Sequence, residues 1–311
     1  MALLALAMTG AAFFPSYGVL FAAFLLAGLS KAACDPAILS YVAERIPYHR
    51  RGRAIGIVEM GWAGSTLLGI PAVGFLIHRF GWQSPFFFIG IAALTGAVVL
   101  LFLLSGNGAP ANRRPGPGSF LLLWRKLARS KPALGILGFA FFVGAANDLF
   151  FIVFGIWMEE SFHLSIVALG GSAFLVGSAE FLGEIAVASL SDRLGLFRAV
   201  VIGTVLSGAA YGLIPILGGS TAGALAVLFL IFLFVEFSIV TLLSRASEIL
   251  PEMRGTMLSG FIAASSAGRM TGALLGGPVW LFGRMPWITA GSVVLTFLAL
   301  VCLWIGFREQ A

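Results

Sequence analysis

The sequence predicts an all-α fold, a polytopic bundle of helices crossing a membrane, and three observations carry that prediction. Apolar residues make up 59% of the 311-residue chain and charged residues 10%. A soluble globular domain carries about 25% charged residues, so most of this surface faces lipid, in keeping with a mean hydropathy of +1.03. The second observation is a series of long apolar runs near 1–14, 17–43, 54–77, 84–105, 133–158, 166–190, 198–217, 221–246, 255–282 and 286–307. Most are close to the roughly 20 residues that a bilayer-crossing helix needs. They are rich in Leu, Ala, Phe and Gly and do not alternate, as the strands of a membrane β-barrel would. The third is charge placement: with both ends in the cytoplasm, every Lys and Arg outside the spans falls in the inner loops or at Arg308, except Arg79 and Arg284. That asymmetry follows the positive-inside rule and predicts an integral protein of the plasma or inner membrane.

The net charge of +6 and pI near 9.9 would suggest nucleic acid in a soluble chain. Here the basic residues are cytoplasmic loop residues, and no nucleic-acid partner is expected. Cys34 and Cys302 lie far apart in apolar runs, which gives neither a disulfide framework nor a metal site. His49, His78 and His163 sit at loop positions without ligand spacing. No metal or other cofactor is predicted. The chain also lacks a phosphate loop, an H-E-x-x-H helix and a paired-cysteine motif. Catalysis and nucleotide-driven pumping are therefore disfavoured.

Taken in order, the opening MALLALAMTGAAFF lacks the basic n-region of a signal peptide. The spans 17–43, 54–77 and 84–105 follow and form an N-terminal bundle over 1–105. Residues 106–132 begin rich in Gly and Pro and end in the basic, amphipathic RKLARSK. They read as a cytoplasmic linker whose end lies on the anionic inner surface. The six remaining spans make a second bundle over 133–311.

The two bundles share a repeat. AERIPYHRRGRAIG, LLGIPAVG and HRFGW in the first are matched by SEILPEMRGTMLSG, MTGALLGG and LFGRMPW in the second. Gly52 and Gly255, Gly69 and Gly272, and Gly74 and Gly277 are each 203 residues apart. Parallel repeats of this size build one large class of secondary transporter. On these motifs the chain resembles the major facilitator superfamily across essentially its whole length. SLSDRLGLFR is similar to the family's D-R-x-G loop through Asp192, Arg193 and Gly195, with Ala188 where the family has its leading glycine. Other departures are Phe24 at the position of a proton-coupling arginine and Ile70 before Pro71 in the glycine-rich GSTLLGIPAVG. Spaced glycines such as Gly64, Gly69 and Gly74 are expected to mark close helix packing.

The resemblance implies two six-helix halves joined by a cytoplasmic loop, acting as a monomer by alternating access. The offset of 203, carried back from the second bundle, places the twin of the span at Arg198 just before Met1. The opening run is thus expected to continue a third helix, about 10 of the family's usual twelve helices being present. A misplaced start codon or a truncated gene would account for that.

Ionisable residues inside spans cost about 2.5–3.5 kcal/mol on insertion scales and mark function by default. Here they are Lys31, Asp35, Glu59, Asp148, Glu180, Glu184, Glu236 and Arg269. The spans 1–14, 84–105 and 286–307 have none, nor does 198–217 once Arg198 is assigned to its loop. In the family these four correspond to the outer supporting helices, while the others line the cavity.

Lys31 and Asp35 stand four apart, the spacing of a local ion pair. Glu59 has Arg53 as a possible partner. Glu236 and Arg269 are candidates for a cross-helix salt bridge. Glu180 and Glu184 share a face and cannot both ionise cheaply, so one is expected to hold a proton. Asp148, beside Asn147, has no partner near it in sequence and is the preferred substrate or proton site. Asp192, Arg193, Gly195 and Glu184 are assigned to conformational gating.

Asn147 is the one amide within the spans, which disfavours a sugar site. With 29 Phe and 7 Trp, an aromatic pocket for a small amphiphilic or cationic compound is favoured. The function expected is proton-coupled efflux, with protons, the small-molecule substrate and the lipid bilayer as partners. A uniporter or symporter of a small organic solute, or a truncated fragment that does not transport, is the alternative.

Overall fold

The computed structural model describes residues 1–14, 16–46, 48–104, 119–164 and 166–308. Among them there is no strand. The helices are α1 (Ala2–Phe13), α2 (Tyr17–Arg45), α3 (Tyr48–Gly64), α4 (Ile70–Phe80), α5 (Ser84–Leu104), α6 (Ser119–Arg129), α7 (Lys131–Phe162), α8 (Ile166–Ala186), α9 (Asp192–Leu194), α10 (Leu196–Leu217), α11 (Thr221–Ile249) and α12 (Arg254–Phe307). A π-helical turn joins α3 to α4 at Ser65–Gly69, and another joins α8 to α9 at Val187–Ser191.

Seven of these helices are long and apolar enough to cross a bilayer. One of them, α12, holds two of the expected spans, because its backbone breaks at Gly283 and Arg284. Arg284 has φ 57° and ψ −157° there, a region that a side chain strains to occupy. A Cβ on Gly283 would sit 1.7 Å from Trp287 Cδ1, so this turn has no room for a larger residue. The spans expected at 1–14 and 54–77 are the short helix α1 and the α3–α4 run, which the π turn interrupts.

Contacts divide the chain into two compact units, Met1–Ile38 with Gly69–Leu122 and Leu39–Leu68 with Leu123–Ala311. In the first, α1 lies against α5. A Cβ on Gly90 would meet Thr9 Oγ1 at 2.9 Å, and Thr9 donates to the Ala5 carbonyl at 2.6 Å. Edge-on ring pairs hold the same layer, Phe13 with Phe87 at 6.1 Å and Phe24 with Phe86 at 6.2 Å. The Ser84 hydroxyl donates to the Leu76 carbonyl at 2.9 Å and ties the end of α4 to the start of α5.

The second unit is built around α7. Ser130 caps this helix, its hydroxyl accepting from the Ala133 amide at 3.4 Å. Both arms of α12 run along α7, and glycines set the distance. A Cβ on Gly268 would fall 1.9 Å from the Phe141 carbonyl oxygen, and one on Gly272 would fall 2.3 Å from that of Ala145. On the far arm, a Cβ on Gly135 would fall 2.9 Å from the Cα of Gly306. This is the small-residue route to close helix contact in a membrane, where lipid tails are as apolar as Leu. Phe150, Trp157 and Tyr211 pack edge to face inside the unit, with centroids 5.9–6.3 Å apart.

Among the described residues the close packing expected at Gly64, Gly69 and Gly74 is not seen, since a Cβ on any of them would meet nothing there within 4 Å.

Of the predicted linker, residues 106–118 lie outside the described residues. Its basic end is the helix α6. Leu127 is buried, 3.6 Å from where a Cβ on Gly260 would sit, while Arg125 and Arg129 are exposed. The apolar edge of α6 is therefore docked on α12.

Candidate functional site

The charged pair inside the second unit is made possible by its glycines. Gly144 lies one turn before Asp148 on α7, and Gly268 immediately precedes Arg269 on α12. A Cβ on Gly144 would touch the Ser265 carbonyl at 2.7 Å and Arg269 Cγ at 3.2 Å. With α7 and α12 this close, the arginine stem lies along the α7 backbone. Its Nε then donates to both carboxylate oxygens of Asp148, Oδ1 at 3.2 Å and Oδ2 at 3.1 Å.

The residue expected to stand alone thus has a partner 121 positions away. The partner recorded for Arg269 is Asp148, in place of the expected Glu236. The exposure is uneven: the Arg269 side chain is 46% exposed and that of Asp148 13%.

Around the pair, Asn147 Oδ1 is buried and accepts no hydrogen bond among the described residues. The Tyr211 phenol, fully buried on α10, is also without a hydrogen-bond partner among the described residues and lies within electrostatic reach of Asp148. Ser292, on the far arm of α12, donates to the Ala146 carbonyl at 3.1 Å. The two arms of α12 and α10 therefore converge on one turn of α7.

Glu236 is found elsewhere. On α8, Gly183 packs against α11, where its Cβ would be 2.9 Å from the Leu233 carbonyl and 3.1 Å from Glu236 Cβ. Glu236 therefore lies on the α8 turn that carries the fully buried Glu184, with half-buried Glu180 one turn earlier. Glu180 and Glu184 stand one turn apart on α8, and Glu236 Cβ approaches that turn at Gly183. The sequence signal for that was a glycine beside Glu184.

Lys31 and Asp35 make the local pair, Nζ to Oδ2 at 2.5 Å, on an exposed stretch of α2. The Glu59 side chain lies outside the described residues. Asp192 starts the short α9 with Arg193 exposed beside it, and Gly195 turns the chain into α10 at φ 81° and ψ 129°. That left-handed conformation explains the glycine of the D-R-x-G motif. Ala188, at the motif's leading position, meets α3 at Gly56, whose Cβ would be 3.4 Å from Ala188 Cβ and 3.5 Å from the Glu184 carbonyl. The close contact made by a small residue is kept, with the glycine on the other helix.

Two paired glycine contacts, two groups of in-span charges and the D-R-x-G turn are thus arranged on an all-helical chain. The sequence profile of the Major Facilitator Superfamily matches residues 1–259. The chain belongs to this superfamily. It is 27% identical over 287 residues to the uncharacterized MFS-type transporter YceJ of Bacillus subtilis (strain 168), covering 91% of this chain and 72% of that one. To Multidrug resistance protein 2 of the same organism it is 24% identical over 301 residues, covering 92% and 73%. Among solved structures, the human organic anion transporter MFSD10 superposes with a TM-score of 0.78 at 17% identity, covering 98% of this chain and 74% of that one. At that identity the match concerns the fold alone. The chain is accordingly a membrane protein of a transporter family.

Proposed function

We propose that the protein is a secondary active transporter that exports a small amphiphilic organic compound in exchange for protons, by alternating access of the bundles 1–105 and 133–311 about the linker 106–132. The observation that carries this reading is the close approach of Glu236 on α11 to Gly183 of α8, the residue before Glu184 and one turn from Glu180. Carboxylates gathered in an apolar span do not all hold charge together, so the group takes up and gives back a proton. The Asp148–Arg269 pair, half open on α7 and α12, serves the substrate. Similarity to a multidrug resistance protein supports export. Asp192, Arg193 and Gly195 gate the movement, with Glu184 at the α3 contact. Lys31, Asp35 and Glu59 complete the charged set of the first half. The protein works as a monomer in the cell membrane with both ends in the cytoplasm, and it is no enzyme.

The test uses everted membrane vesicles carrying a respiration-generated pH gradient, read by acridine fluorescence. Addition of amphiphilic dyes from a panel of anionic, neutral and cationic members is expected to release protons in the wild type with at least one of them. Release is expected to fall at least tenfold in Glu236→Gln. Dye transport that proceeds equally well without a pH gradient would show a uniporter. Proton movement in the same direction as the dye would show a symporter, and no flux of either kind would refute transport.

A further inference from the structure

Arg269 is used in an unusual way. A guanidinium carries five N–H donors in a fixed fork, and here Asp148 takes only the Nε–H, shared between its two oxygens. Among the described residues the two terminal nitrogens make no hydrogen bond. They are the part of the pair that is open, since the arginine side chain is 46% exposed against 13% for the aspartate. Ser266, one turn earlier on the same face, is exposed and adds a hydroxyl without a partner among the described residues. The stem is held by the glycine contact with α7, Cγ lying 3.2 Å from a Cβ placed on Gly144. The fork is therefore pre-organised. An arginine in an apolar span is costly, and four of its five donors make no hydrogen bond among the described residues.

We infer that the terminal nitrogens of Arg269, with the Ser266 hydroxyl, bind the anionic head group of the transported compound, a carboxylate or sulfonate on an apolar body. Two parallel N–H donors match two oxygens of such a group, a geometry that a lysine's point charge does not offer. The expectation of an amphiphilic or cationic guest rested on the aromatic content of the spans. With Arg269 across from Asp148 the pair is neutral overall, and its accessible half is the cation. Met270 and Leu274, exposed on the same arm of α12, offer apolar surface to the rest of the molecule. This inference rests on the transporter reading for its biological role, but the binding itself does not require transport.

The experiment is equilibrium binding of 1-naphthoate, 1-naphthalenesulfonate and neutral 1-naphthamide to the full chain in lipid nanodiscs, by microscale thermophoresis. The two anions are expected to bind at least tenfold more tightly than the amide. Arg269→Lys keeps the charge and is expected to lose most of that preference. The double variant Asp148→Asn/Arg269→Gln, which leaves no lone charge between the helices, is expected to abolish it. Asp148→Asn alone removes the competing acceptor and should strengthen anion binding, an effect that a purely structural arginine would not produce. Equal binding of all three compounds, no binding by any, or a preference that survives in the double variant overturns the inference. Proton-coupled dye export without anion preference would remove the site and leave the transporter. Anion preference without flux of any kind would do the reverse.

Discussion

Replacing Gly268 with Ala tests whether the second unit depends on glycine contact between α7 and α12. The added Cβ would lie 1.9 Å from the Phe141 carbonyl oxygen and 2.7 Å from its carbon, where ordinary contact begins near 3.4 Å. Both are backbone atoms and cannot turn aside as a side chain would. The helices must open locally by about 1.5 Å, the difference between 1.9 and 3.4 Å. Gaps of 0.5–1 Å already forfeit about a quarter to a half of the dispersion between facing atoms. Overpacking of this kind costs roughly 1–3 kcal/mol, and a backbone clash belongs at the upper end. Against this, Ala gains about 1 kcal/mol over Gly in a helix interior. The net expectation is a loss of about 2 kcal/mol. Gly277→Ala is the control, because its Cβ would meet nothing within 4 Å and the helix gain should appear alone. Unfolding of detergent-solubilised protein, followed by tryptophan fluorescence, should separate the two variants by about 3 kcal/mol in opposite directions. If Gly268→Ala is as stable as Gly277→Ala, the close approach of the two helices is wrong, and with it the placement of Arg269 beside Asp148.

Two further outcomes follow from single residues. Tyr211→Phe removes a buried hydroxyl that has no hydrogen-bond partner among the described residues while keeping the ring stacked on Phe150 at 5.9 Å. Its stability should equal or exceed the wild type, and a loss of more than about 1 kcal/mol in the same unfolding assay would reveal a hydrogen bond of that size. Gly195→Ala places a side chain at φ 81° and should cost about 1–3 kcal/mol, whereas Ala188→Gly should be milder because Gly56 already leaves room at that contact.

Most of the helical layout was legible because a lipid-facing helix needs an unbroken apolar run, and such runs are visible without knowing what packs on what. The division of α12 into two spans was legible as well, from Gly283, Arg284 and Pro286 in sequence. Gly195 could be read from its motif. The pairing of charges could not be. Lys31 with Asp35 follows from a spacing of four along one helix, but Asp148 with Arg269 depends on which faces of α7 and α12 meet. The expected Glu236–Arg269 bridge chose a partner by depth in the membrane and ignored helix neighbourhood. The spaced glycines illustrate the same limit. Gly69 and Gly272 are twins in the repeat, yet a Cβ on the first meets nothing among the described residues and one on the second would meet the Ala145 carbonyl at 2.3 Å. Glycine spacing states that a face can be approached closely, and only the neighbouring helix determines that it is.

Glycines and charges prove to be placed together for one physical reason. Helices commonly pack with axes about 8–10 Å apart, and at that distance a short carboxylate such as that of Asp148 leaves most of the span to its partner. Bringing the backbones closer shortens the reach and removes the lipid that would otherwise surround each charge. Gly144 lies one turn from Asp148 and touches Arg269 Cγ; Gly183 is next to Glu184 and touches Glu236 Cβ. In both groups a glycine on one helix seats the charged residue of the other. The cost of an ion in an apolar span is thus reduced by packing before any ligand binds. A glycine within one turn of an in-span charge is therefore the sequence signal that would have pointed to both groups. Around Arg269, Gly268 before it and Gly272 after it both lie against α7, the helix on which Asp148 is found.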